Sequence, residues 1–239
     1  LIIAITGVAL LSVLAGLEAG VKRLSEINMI LAALLLLFVI VAGPTLAVAT
    51  GFIANAGAYF QNLLPLSNFV GREDTDFMHG WTTFYWAWWI SWSPFVGMFI
   101  ARVSRGRTVR EFIFCVLLIP TAVSILWMTA FGGTAVWQII NEGQDTVAQV
   151  VRDYVPALSL FVMLETLPLT AITSFLGITL VIVFFVTSSD SGSLVIDTIT
   201  AGGKVDAPVS QRVFWASFEG LVAIALLLGG GLGALQAAA

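Results

Sequence analysis

Charged residues are missing from run after run of this chain, and each run is about as long as a hydrocarbon core is thick. A helix needs about 20 apolar residues to cross that core. Residues 1–20, 27–50, 81–101, 112–131, 168–186 and 213–235 each qualify by eye. None shows the period-2 alternation of a barrel strand, so the runs predict helices. With 59% hydrophobic and 10% charged residues, a soluble domain is excluded. No basic patch suited to nucleic acid is present. Cys115 and His79 are the only residues of their kinds, which leaves no disulfide framework and argues against histidine-based metal or triad chemistry. The chain begins at Leu1 inside an apolar run, without Met or a charged leader. It is therefore expected to be a piece of a longer protein.

Between the runs the sequence changes character. Lys22-Arg23 closes the first, and Glu18 falls near the interface. Gly43-Pro44 predicts a kink or an unwinding point in the second. Residues 51–62 form an amphipathic stretch suited to a surface helix, followed by a polar loop to residue 80. Residues 132–158, opening on Gly132-Gly133, predict an extramembrane loop with a short helix. A brief surface helix is expected over 159–166. Of the ten basic residues, all but Arg72 and Arg152 fall on one side if the loops alternate across the membrane. The positive-inside rule makes that side cytoplasmic. Loops 22–26, 102–111 and 202–212 are then cytoplasmic, and the run at 81–101 descends from outside to inside.

That descending run carries the densest aromatic cluster. Five of the eight tryptophans (81, 86, 88, 89 and 92) lie within twelve residues. On a helix Trp81, Tyr85, Trp88 and Trp92 share one face, with Trp89 on its flank. Pro94 follows, and its ring is expected to interrupt the helix and strip the Ile90 carbonyl of its partner. Trp92 lies roughly 16 Å along the axis from Trp81. Trp81 can sit in an interfacial aromatic belt, but Trp88, Trp89 and Trp92 then lie near the middle of the membrane. Two readings remain for them: helix packing, or a cage for a cation that cannot donate hydrogen bonds, such as a quaternary ammonium. A second polar stretch, Thr187-Ser188-Ser189-Asp190-Ser191-Gly192-Ser193, interrupts the fifth run. Hydroxyls beside a disturbed helix backbone can ligate sodium. They can equally bond back to the preceding turn or mark the end of the span. Asp190 is a functional candidate as an intramembrane or interfacial carboxylate.

The stretch Trp81 to Gly97, continued by Phe99-Ile100-Ala101-Arg102-Val103-Ser104-Arg105-Gly106-Arg107-Thr108-Val109-Arg110-Glu111-Phe112, closely resembles the signature of the betaine/choline/carnitine transporter family. Ala42-Gly43-Pro44-Thr45 and the 187–193 stretch look like further segments of it. The resemblance implies an all-α integral membrane fold, a partial LeuT-type inverted-repeat transporter. About six transmembrane helices, similar to the family's sixth to eleventh, would be joined by an outer amphipathic surface helix within 51–80. The whole of 1–239 would be one incomplete transmembrane domain, unable to transport alone without the missing helices. By the same resemblance Trp88, Trp89 and Trp92 match the aromatic cage for the trimethylammonium group, and Trp86 a neighbouring pathway tryptophan. Phe184, Thr187 and Ser188 match contributors to one sodium site, and Phe95 lies by a second.

The implied function is secondary active import of a quaternary ammonium solute of the glycine betaine, choline or carnitine type. It would be coupled to sodium and work by alternating access, with no enzymatic activity and no cofactor beyond the coupling ion. A sodium-independent carnitine or betaine exchanger and a non-transporting sensor or subunit are the rivals. Membrane lipid and two further copies in a homotrimer are the implied partners, nucleic acid is not, and the cell's inner (plasma) membrane is the implied location.

Overall fold

The computed structural model describes residues 2–15, 22–153, 155–204 and 208–238. Glu18 and residues 205–207 of the 202–212 loop lie outside them. The described chain is helical, with no strand. In order it forms α1 (Ile2–Ala15), α2 (Lys22–Ala42), α3 (Thr45–Ser67), α4 (Thr75–Phe77), α5 (Phe84–Val103), α6 (Val109–Ile113), α7 (Ile119–Trp127), α8 (Gly133–Glu142), α9 (Thr146–Arg152), α10 (Ser159–Glu165), α11 (Thr170–Thr200) and α12 (Val209–Ala238). Wider π turns at Phe114–Leu118 and Met128–Gly132 join α6, α7 and α8 into one continuous helical run.

Among the described residues, four stretches are long and apolar enough to cross a membrane: Lys22–Ala42, Val109–Asn141, Thr170–Thr200 and Val209–Gly231. The sequence predicts six. The first expected span is represented by α1, whose apolar part Ile2–Ser12 is shorter. The other is α5, 20 residues long, which is rich in tryptophan. A hydropathy scale rates indole as mildly polar for its N–H, although the ring itself is amphipathic and large.

Helix boundaries differ from the sequence reading at four places, each for a local reason. Of the two expectations at Gly43-Pro44 the structure shows the unwinding point: α2 ends before it, but residues 45–62 belong to one helix, α3. Gly43 sits so tightly that an added Cβ would lie 2.6 Å from the Val39 carbonyl oxygen. Gly132-Gly133 does not open a loop. Both glycines keep helical angles, and the stop comes at Gly143, left-handed at φ 68°. The 187–193 stretch does not interrupt α11, which is unbroken from Thr170 to Thr200. Arg212, expected in a loop, lies within the first turns of α12.

The chain divides into two compact units, and the division falls within α2, α5 and α11. One unit takes residues 31–87 and 106–178. Its core gathers Leu35 and Val39 of α2, Val48 of α3, Ala130, Val147, Met163 and Leu164. Amide and hydroxyl groups stitch it: Asn55 Nδ2 donates to Thr129 Oγ1 at 3.0 Å, and buried Gln138 donates to Thr166. The C-terminal carbonyls of α3, which no helical amide can reach, find donors elsewhere. Leu66 O accepts from Arg72 Nη1 at 3.0 Å and Thr82 Oγ1 at 2.9 Å. Ser67 O accepts from the Trp86 indole at 2.9 Å. Asp74 holds the other edge of the Arg72 guanidinium, and that hydrogen bond keeps its carboxyl below the usual carboxylate range.

The other unit takes residues 1–30, 88–105 and 179–239. Here α1 packs along α12, closely enough that a Cβ on Gly220 would fall 2.6 Å from Thr6 Oγ1. Small residues permit such approach between helices in lipid. Near the far end of α12, Gly231 leaves helical geometry at φ 66°.

Candidate functional site

Within this second unit, α5 and α11 line a cavity of about 910 Å³, with Ser25 of α2 and Glu219 of α12 at its edges. It is roughly the size of a small-molecule site. Trp92 and Phe95 enter from α5, and Phe184, Thr187 and Ser188 from α11. Five of the eight residues singled out by the sequence thus share one wall system. The pattern is aromatic on one helix and aromatic with hydroxyl on the other.

On α5, helical spacing sets the ring geometry. Trp88 and Trp92 meet edge to face at 6.3 Å, and Trp92 and Phe95 at 5.5 Å. Such pairs keep the electron-rich faces of some rings free for a cation. Pro94 does not interrupt α5. The Ile90 carbonyl that it deprives of an amide accepts instead from Ser93 Oγ at 3.0 Å, so the helix runs through the proline with its acceptor satisfied. Trp89 is not among the lining residues and is 64% exposed. Trp86 belongs to the other unit and is held by its indole hydrogen bond to Ser67. Of the four tryptophans, Trp92 lines this cavity and meets Trp88 edge to face, while Trp86, Trp88 and Trp89 are not among its lining residues.

On α11, Thr187 is buried and its hydroxyl donates back to the carbonyls of Val183 and Phe184, both at 3.0 Å. Ser191 Oγ does the same to Thr187 O at 2.8 Å. The backbone is thus not a source of free carbonyls. The hydroxyl oxygens remain available, because a donating hydroxyl keeps its lone pairs. Ser188 opens to the cavity.

Two acidic residues also belong to the neighbourhood. Ser12 of α1 donates to Asp190 Oδ2, and Ser189 Oγ donates to Glu219 Oε2 at 3.0 Å. Glu219 was legible as the one acid inside the Val209–Gly231 apolar run, yet spacing alone gave it no partner. Only the packing of α12 on α1 and α11 reveals one.

The fold is that of a helical membrane protein, with a cavity of small-molecule size lined by aromatic and hydroxyl side chains. The chain belongs to the BCCT family, the betaine/carnitine/choline family transporters, whose family model matches residues 1–239. These are transporters and not enzymes. The chain is 66% identical over 239 residues to a glycine betaine/proline/choline transporter of Vibrio parahaemolyticus, covering 100% of this chain and 42% of that protein. A glycine betaine/proline/choline/ectoine transporter of the same organism is 55% identical over 234 residues, covering 98% of this chain and 41% of that protein. The glycine betaine transporter of Acinetobacter baylyi is 48% identical over 240 residues, covering 100% and 36% respectively. The chain thus spans less than half the length of these relatives.

Proposed function

We propose that this chain carries one side of the solute cavity of a secondary transporter that imports a quaternary ammonium compound, of the glycine betaine or choline kind, together with sodium. The observation that carries the reading is the cavity in which Trp92 and Phe95 stand opposite Phe184, Thr187 and Ser188. Its support from outside is that the three relatives named above are transporters of glycine betaine. In this reading Trp88, Trp89 and Trp92 offer ring faces to the trimethylammonium group, each worth about 0.5–2 kcal/mol, and Trp86 lies on the path to them. The oxygens of Thr187 and Ser188 hold the coupling ion beside Phe184, and Phe95 borders a second ion position. Alternating access around a cavity at mid-membrane depth moves both together. The protein sits in the plasma membrane with loops 22–26, 102–111 and 202–212 inside, and three copies associate.

Radiolabelled glycine betaine uptake by the full-length protein in proteoliposomes tests this. Uptake should rise with an inward sodium gradient, and Thr187→Ala with Ser188→Ala should raise the sodium concentration needed for half-maximal rate. Uptake indifferent to sodium but accelerated by solute inside would replace import with exchange. Binding without uptake would make the protein a sensor.

A further inference from the structure

The carboxylates of Asp190 and Glu219 are left over by the reading above. Asp190 is 2% exposed and lies in the middle of α11, and Glu219 is half-buried inside the Val209–Gly231 span. The two are close enough to repel each other. Each already accepts one hydroxyl, Ser12 on Asp190 Oδ2 and Ser189 on Glu219 Oε2, the arrangement that suits ionised acceptors. Neither pairs with a described basic side chain; Arg212 is committed to Asp197 at 3.2 Å, seven residues away on both helices, roughly 10 Å along each axis. A buried anion without a counter-charge is strongly unfavourable, and ionisable groups in spans are expected to face a partner or a cavity.

Two further buried oxygens lie at the pair. Asp190 Oδ1 is buried and has no hydrogen-bond partner among the described residues. Ser193 is 1% exposed, and its hydroxyl lies within reach of Glu219 without making a hydrogen bond of ordinary geometry. Glu219 Oε1 rests against Gly192, 3.5 Å from where a Cβ would stand. Both residues line the cavity. An ion would enter from the cavity at Glu219, and the buried oxygens of Asp190 and Ser193 lie behind the lining.

We propose that Asp190, Glu219 and Ser193 form a seat for a monovalent, sodium-sized cation at the α12 edge of the cavity, distinct from the Thr187 and Ser188 hydroxyls. Two carboxylates with a hydroxyl and cavity water supply too few fixed ligands for calcium, which takes 6–8 oxygens. No third acidic, histidine or cysteine side chain joins them among the described residues. The seat rests on the geometry of α1, α11 and α12, and it stands whether or not the Thr187 site couples transport.

The test is sodium-dependent thermal stabilisation of the purified full-length protein at fixed pH and ionic strength, with N-methylglucamine chloride as the reference. Stabilisation should persist in the Thr187→Ala/Ser188→Ala variant. Adding Glu219→Gln to that variant should raise the half-saturating sodium concentration about tenfold or more, the loss expected for one charged ligand. Should Glu219→Gln fail to give monodisperse protein, Ser193→Ala provides the same comparison with a gentler change and a smaller expected shift. Loss of stabilisation in the Thr187→Ala/Ser188→Ala variant alone, with Glu219→Gln and Ser193→Ala both responding to sodium as wild type, overturns the seat while leaving the Thr187 site intact. A response to sodium unchanged in every variant overturns both.

Discussion

Trp92 and Trp89 are three residues apart on α5, yet they meet different surroundings. Trp92 touches rings on both sides and borders the cavity, whereas Trp89 is 64% exposed. If the cavity holds a trimethylammonium group, Trp92→Ala should weaken binding by roughly 2- to 30-fold, the range set by one cation–ring contact. Trp92→Phe should fall between that and wild type, because a smaller ring keeps a face but loses area. Calorimetric titration of glycine betaine into the full-length protein measures both; equal affinities for all three forms would remove Trp92 from the site. Trp89→Ala belongs in the same series, and unchanged binding there would remove it from the proposed cage. The residue types of this site were legible in the sequence: aromatic rings at helical spacing and a hydroxyl run. What could not be read was how a neighbour resolves a local conflict. Pro94 signals an orphaned carbonyl, but that Ser93 repairs it depends on a rotamer.

At the scale of the element, hydroxyl-rich and glycine-rich stretches stay helical for one physical reason. In water such residues compete for the backbone and end helices. Inside an apolar span their hydroxyls have no better acceptor than a carbonyl one turn back, as Thr187, Ser191 and Thr198 show. The helix therefore continues. Glycine behaves likewise until a positive φ is required, at Gly143 and Gly231. Gly220 has a different task. Its missing side chain lets α1 lie against α12, and an alanine there would put a methyl 2.6–2.7 Å from the Thr6 side chain. Gly220→Ala should destabilise the full-length protein by about 1–3 kcal/mol, the usual penalty of overpacking. Thr6→Ala in the same background removes the two closest atoms and should recover much of the loss. Unfolding midpoints of the two variants decide this, and a Gly220→Ala protein as stable as wild type would mean that α1 is free to move aside.

For the whole molecule, each of the four long spans overlaps one of the six apolar runs, and the approximate place of the membrane-crossing runs follows from where charges are absent. The cavity and the acid pair do not, because they depend on contacts such as Ser12 with Asp190, 178 residues apart. Topology lies between these extremes. It rests on the basic residues, which the membrane sorts by charge, and on which runs cross. The stretch Val109–Asn141 is 33 residues long, about 50 Å as a straight helix, more than a core of about 30 Å. It can cross with its ends beyond the lipid or tilted within it. Ser104 precedes it, in the loop holding Arg105 and Arg107, and Glu142 follows it. Opposite sides are therefore expected for the two positions. With the exposed Cys115 replaced by alanine, Ser104→Cys in the full-length protein should react with a membrane-impermeant maleimide in inside-out vesicles only. Glu142→Cys should react in right-side-out vesicles only. The reverse pattern would invert every loop assignment made from charge. Labelling of both positions from one side would mean that this helix, for all its length, does not cross.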